Sequence, residues 1–86
     1  MLIVAKHEKT LAAIFEEPAR ANINWKDIEL LFLHDGGEVT QGKGSRVRVA
    51  LNGVRAVFHR PHPANETKKK AVGSVREFQT EAGVTP

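Results

Sequence analysis

The dipeptide Asn52-Gly53, set between the strand-like runs Arg46 to Leu51 and Val54 to His59, constrains this chain more than any other feature. Asn-Gly suits a two-residue type I′ turn, which needs positive φ at both central positions. Such a turn fixes the hairpin register. It sets Leu51 opposite Val54, Val49 opposite Ala56 and Val47 opposite Phe58 on one face. The other face then carries the pairs Ala50 with Arg55, Arg48 with Val57 and Arg46 with His59. One face is apolar and needs a core beneath it, and the other is cationic.

The rest of the chain supplies that core. Leu11, Ile14 and Phe15 recur at helical spacing until Pro18, which predicts a short amphipathic helix from about residue 7 to 16. Asn24, followed by Asp27, is an N-cap candidate for a second helix, whose stripe of Trp25, Ile28, Leu31 and Phe32 ends at Gly36-Gly37. Trp25 has the position of a core residue rather than of a platform for a base. Glu38 to Gln41 reads as a first strand ahead of the hairpin. Ala71, Val72, Val75, Phe78 and Ala82 mark a last helix, from about Lys68 to Ala82, closed by Gly83. The expected fold class is α+β: a three-stranded antiparallel sheet with helices packed on one face, plus an extra N-terminal helix. Eighty-six residues with 41% hydrophobic content fit one domain, 1–86, with residues 1–20 as a helical extension and 24–84 as the core.

Lys and Arg number 13 against 10 Asp and Glu, and most of the basic residues fall between Lys43 and Arg76. A basic stripe of this kind suits a polyanion such as RNA. The absence of cysteine excludes a disulfide framework and thiolate metal sites. Leu2-Ile3-Val4-Ala5 is too short an apolar run for a membrane span or a secretory core, so the expectation is a cytoplasmic chain without a membrane partner.

Three pieces in a fixed order carry a family resemblance: Gly44-Ser45-Arg46, then Arg60-Pro61-His62-Pro63, then a helix ending near Ala82-Gly83-Val84. The chain resembles a HicA-family toxin over roughly Asn24 to Val84. The resemblance implies a double-stranded-RNA-binding-like fold, endoribonuclease activity on mRNA without a cofactor, and a HicB-like antitoxin as protein partner. Family members usually carry Gly-Ser-His, with that histidine taken as catalytic; here the position is Arg46. A guanidinium does not release a proton near neutral pH, so Arg46 cannot be a general base. A second reading is therefore a binding module that keeps RNA or antitoxin recognition without cleavage.

Cutting RNA without a metal takes a base for the 2′-hydroxyl proton, an acid for the leaving 5′-oxygen, and cations for the charge of the transition state. His59, His62 and Arg46 are the catalytic candidates; His62 matches the histidine that many family members carry after proline. Candidate RNA-binding residues are Lys43, Ser45, Arg46, Arg48, Arg55, Arg60, Lys68, Lys69 and Lys70. The three lysines stand at the first turn of the last helix, where cations oppose the helix dipole, a placement that favours a binding role. Gly42-Lys43-Gly44-Ser45 reads as a flexible loop entering the second strand and lacks the phosphate-loop pattern. His59 and His62 have neither a third ligand nor a nearby carboxylate, so no metal is expected. His7 and His34 are expected to be surface residues.

Overall fold

The computed structural model describes residues 2–86, with side chains from Ala5 onward; Met1 lies outside the described residues. In chain order the elements are α1 (Leu2–Ile14), β1 (Ile23–Asn24), α2 (Trp25–His34), β2 (Glu38–Gln41), β3 (Arg46–Leu51), β4 (Val54–His59), β5 (Glu66–Thr67) and α3 (Lys69–Glu81). One antiparallel sheet has the order β2-β3-β4, and β1 pairs with β5 in a second, two-stranded one. This is the α+β layout expected from the sequence.

The hairpin has the register that its turn dictates. Asn52 and Gly53 take φ values of 50° and 81°, and Leu51 to Arg46 lie opposite Val54 to His59 in the expected pairs. Val47, Val49, Leu51 and Phe58 are buried, whereas Arg46, Arg48, Arg55 and His59 are exposed. The Asn52 side chain also donates to the Ala82 carbonyl at 2.7 Å, pinning the turn to the end of α3.

Both core helices end in the same way. After α2, Gly37 N donates to Phe32 O at 2.9 Å and Gly36 N to Leu33 O at 3.1 Å. After α3, Val84 N donates to Gln79 O at 2.8 Å and Gly83 N to Thr80 O at 3.1 Å. These are Schellman pairs, with Gly36 and Gly83 at φ of 90° and 79°. Gly37 has a separate reason to be glycine: a Cβ there would lie 2.9 Å from the Phe32 carbonyl oxygen. At its other end, α2 is capped by Asn24, whose Oδ1 accepts from Lys26 N at 2.9 Å.

The core fills the space between the sheet and the helices. Phe58 from β4 meets Trp25 and Phe32 of α2 and Phe78 of α3, with ring centroids 5.7, 5.8 and 5.7 Å away. Ile14 brings α1 into the same core. Arg76 of α3 fastens the end of α1, donating to Ile14 O at 3.0 Å and Glu16 O at 2.6 Å and pairing with Glu17 at 2.6 Å. The bond to Ile14 satisfies a carbonyl that the helix end leaves open.

Four features depart from the sequence reading. First, α1 begins at Leu2 and ends at Ile14 rather than covering residues 7–16, because the apolar opening continues the helical run. Second, β1 and β5 are too short to show a period. Third, Gly42 to Ser45 form a closed turn instead of a flexible loop: Gly42 N donates to Arg46 O at 2.9 Å, and Gln41 Nε2 bonds the carbonyls of Gly42 and Gly44. Fourth, His7 is not a surface residue. It is only 8% exposed and its ring stacks on His34 at 4.4 Å, because α1 lies against the end of α2. Asp35 adjoins this pair; burial pushes its carboxyl above the ordinary range, against the opposing pull of His34, the Gln79 side chain and His7.

Candidate functional site

The segment that leaves β4 is braced from three directions. Arg60 N donates to Ser45 O at 2.8 Å, which abuts the motif Gly44-Ser45-Arg46 on the start of Arg60-Pro61-His62-Pro63. The Arg60 guanidinium reaches Glu29 of α2 through two bonds, Nε to Oε2 at 2.8 Å and Nη2 to Oε1 at 3.2 Å. Its Nη1 also donates to Gln41 Oε1 at the end of β2, and Glu29 accepts from Trp25 Nε1. A planar guanidinium suits such a forked contact, which a lysine could not reproduce.

Arg60 is thereby paired with the protein's own carboxylate while it still lines the adjoining cleft. The sequence places it among the RNA-binding candidates, and the fold adds an ion pair that braces the turn carrying His62. Glu29 and Gln41 belong to the same brace and were not singled out from the sequence. Nothing short-range marks them, because the partners lie 31 and 19 residues from Arg60.

Beyond this brace opens a cleft of about 510 Å³, lined by His59, Arg60, His62, Thr67, Lys68 and neighbouring residues. Glu66 and Thr67 of β5 form part of its wall, and their pairing with Asn24 and Ile23 of β1 ties the start of α2 to the start of α3. His59 and His62 are both exposed and share this one cleft. Arg46 stands across from His59 in the hairpin. The three catalytic candidates are thus carried by two abutting segments.

The other candidate RNA-binding residues divide by location. Arg46, Arg48 and Arg55 project from the outer face of the sheet, and Lys43 and Ser45 from the β2–β3 turn at its end. Lys68 occupies the N-cap position of α3 without a side-chain cap bond, and Lys69 and Lys70 form the first turn. All of these are exposed. Among the described residues, no group of three or more His, Asp or Glu side chains comes together in a way that could hold a metal ion. No described helix is long and apolar enough to cross a membrane.

Helices on one face of a three-stranded antiparallel sheet, with cations on the open face, define a small α+β domain of the double-stranded-RNA-binding-like class. The family model described as HicA toxin of bacterial toxin–antitoxin systems matches residues 25–84, and the chain belongs to that family. The match begins at α2 and leaves α1 outside it. Comparison with the curated proteins and with solved structures gave no match.

Proposed function

We propose that this toxin-family chain is a metal-independent endoribonuclease acting on mRNA and neutralised by a HicB-like antitoxin. The observation that carries the reading is the shared cleft of His59 and His62, with Lys68 on its wall and Arg46 opposite His59. In this scheme the ribose 2′-oxygen attacks the adjacent phosphorus and the bond to the 5′-oxygen breaks. One imidazole takes the 2′-hydroxyl proton and the other delivers a proton to the leaving 5′-oxygen. The products are a 2′,3′-cyclic phosphate and a 5′-hydroxyl end. A guanidinium is a fixed cation rather than a base, so the part of Arg46 is to offset charge that builds on the phosphoryl oxygens. Lys43, Ser45, Arg48, Arg55, Lys68, Lys69 and Lys70 hold the backbone on either side. The substrate sets the site of action in the cytoplasm.

The test is direct. Purified chain, free of antitoxin, should cut mRNA to fragments with cyclic-phosphate ends, at a rate that chelators leave unchanged. RNA that stays intact between about pH 5 and pH 9 would sink the nuclease reading and leave a binding module.

The binding surface has its own test. Replacing Arg46, Arg48 and Arg55 together by Ala is expected to weaken RNA affinity and to flatten its salt dependence by about one unit of log–log slope per lost phosphate contact. Filter-binding titrations over a range of salt would measure the slope. An unchanged slope removes the outer sheet face from the RNA site.

A further inference from the structure

The free edge of β4 is the largest unfinished piece of this fold. In the order β2-β3-β4 the strand has a neighbour on one side only. The bond from Arg60 N to Ser45 O sets the phase of the ladder. Bonded and non-bonded pairs alternate along an antiparallel pair, so Phe58, Ala56 and Val54 turn their backbone groups toward β3. Arg55, Val57 and His59 turn theirs outward, along the open edge. Val57 is 55% exposed, an apolar side chain among arginines on the solvent face.

Beside this edge, toward α3, runs a groove of about 340 Å³ lined by Trp25, Phe58, Ala71, Ser74, Lys68 and Lys70, together with the edge itself. Its walls are mostly apolar and its rim carries two lysines. A strand added to β4 would project alternate side chains into this groove, and the others over Arg55, Val57 and His59. We propose that the β4 edge is a docking site for an extended acidic strand of a protein partner, with apolar residues facing the groove and carboxylates facing the arginines. The recognition mode is strand addition: backbone bonds supply affinity, and the alternating faces supply specificity.

Charge complementarity selects this occupant over a second copy of the chain. Pairing two β4 edges would put two sets of Arg46, Arg48, Arg55 and His59 on one continuous face, with like charges across the new ladder. An acidic strand meets the opposite field. An edge strand presents unpaired backbone groups that template strand addition, and the arginines on this one guard it against a like-charged neighbour but not against an acidic one. The inference rests on the sheet topology and stands whether or not the chain cleaves RNA.

The probe is a synthetic peptide of about ten residues, long enough to span β4 at about 3.4 Å per residue, in which glutamate alternates with valine. Amide hydrogen exchange of the full chain with this peptide should show new protection at Arg55, Val57 and His59. Methylating the peptide's backbone nitrogens at one alternate set should abolish binding, and at the other set should spare it. Val57→Pro deletes an outward N–H that has no partner within the sheet, and should weaken binding about tenfold or more. Absence of peptide binding, or equal binding by both methylated peptides, overturns the proposal. So does protection of the same three amides by a single-stranded RNA oligonucleotide and not by the peptide, which would make the groove part of a nucleic-acid site.

Discussion

Replacing His59 and His62 together by alanine is expected to lower RNA decay by about 10²–10⁴-fold, the usual worth of positioned acid and base groups, while leaving RNA affinity nearly intact. The motive is their common cleft, with the segment that carries His62 fixed by Arg60 between Glu29 and Gln41. If the two imidazoles act as a pair in one step, either single replacement should cost about as much as the double, since groups that act as a unit are not additive. Each single replacement should also remove one limb of the pH–rate profile. Arg46→Lys separates the electrostatic part from the proton transfer. It keeps the charge but loses the forked geometry, so the rate should fall with both limbs retained. Initial rates on a defined RNA across the pH range measure all of this. A double-alanine protein that cleaves at the original rate means the chemistry lies elsewhere.

The brace around Arg60 shows what local sequence rules do not reach. Local rules were sufficient for the hairpin, because a type I′ turn fixes φ at two residues and every pair in β3 and β4 follows from it. They were sufficient for the ends of α2 and α3, where glycine takes a backbone conformation that other residues avoid. Arg60 needed knowledge of what lies across the fold. Its charge is legible in the sequence, but the carboxylate that takes it is on another element, and a surface cation and a braced one look the same in a string. His7 misled for a related reason. On α1 it sits among Lys6, Glu8 and Lys9, a polar context that reads as solvent-facing, and only the packing of α1 on α2 turns it onto His34. Gln79 is a third case. It shares the face of Val75, Phe78 and Ala82 and is fully buried, with the Asp35 carboxyl as its polar neighbour. The spacing that marks its neighbours as core marks it too, and its polarity argues the opposite way. The β1–β5 pair escaped because two residues show no alternation, although it holds the starts of α2 and α3 together beside the cleft.

Phe58→Ala is expected to destabilise the chain by about 3 kcal/mol or more. Phe58 is 6% exposed and is the ring through which the sheet touches both core helices. Truncation to a methyl group leaves a void walled by Trp25, Phe32 and Phe78. These side chains come from two helices whose C-terminal ends are closed by Schellman bonds, so they cannot close on the gap without moving α2 or α3. Lost aromatic contacts add about 0.5–1.5 kcal/mol per pair to the area term. A domain of this size has a total stability of roughly 4–13 kcal/mol, so the loss would take a large share of it. On the opposite face of the hairpin, Arg48→Ala removes an exposed side chain and should change stability by about 0.5 kcal/mol or less. The two variants report on the two faces of one hairpin, and their difference measures how completely the alternation of β3 and β4 divides core from binding surface. Urea unfolding gives both values. Equal, small losses would mean that Phe58 does not bear the packing between sheet and helices. A large loss for Phe58→Ala alone would also explain why His59, the next residue, keeps its place at the cleft: the strand that presents it is anchored one residue earlier, in the centre of the core.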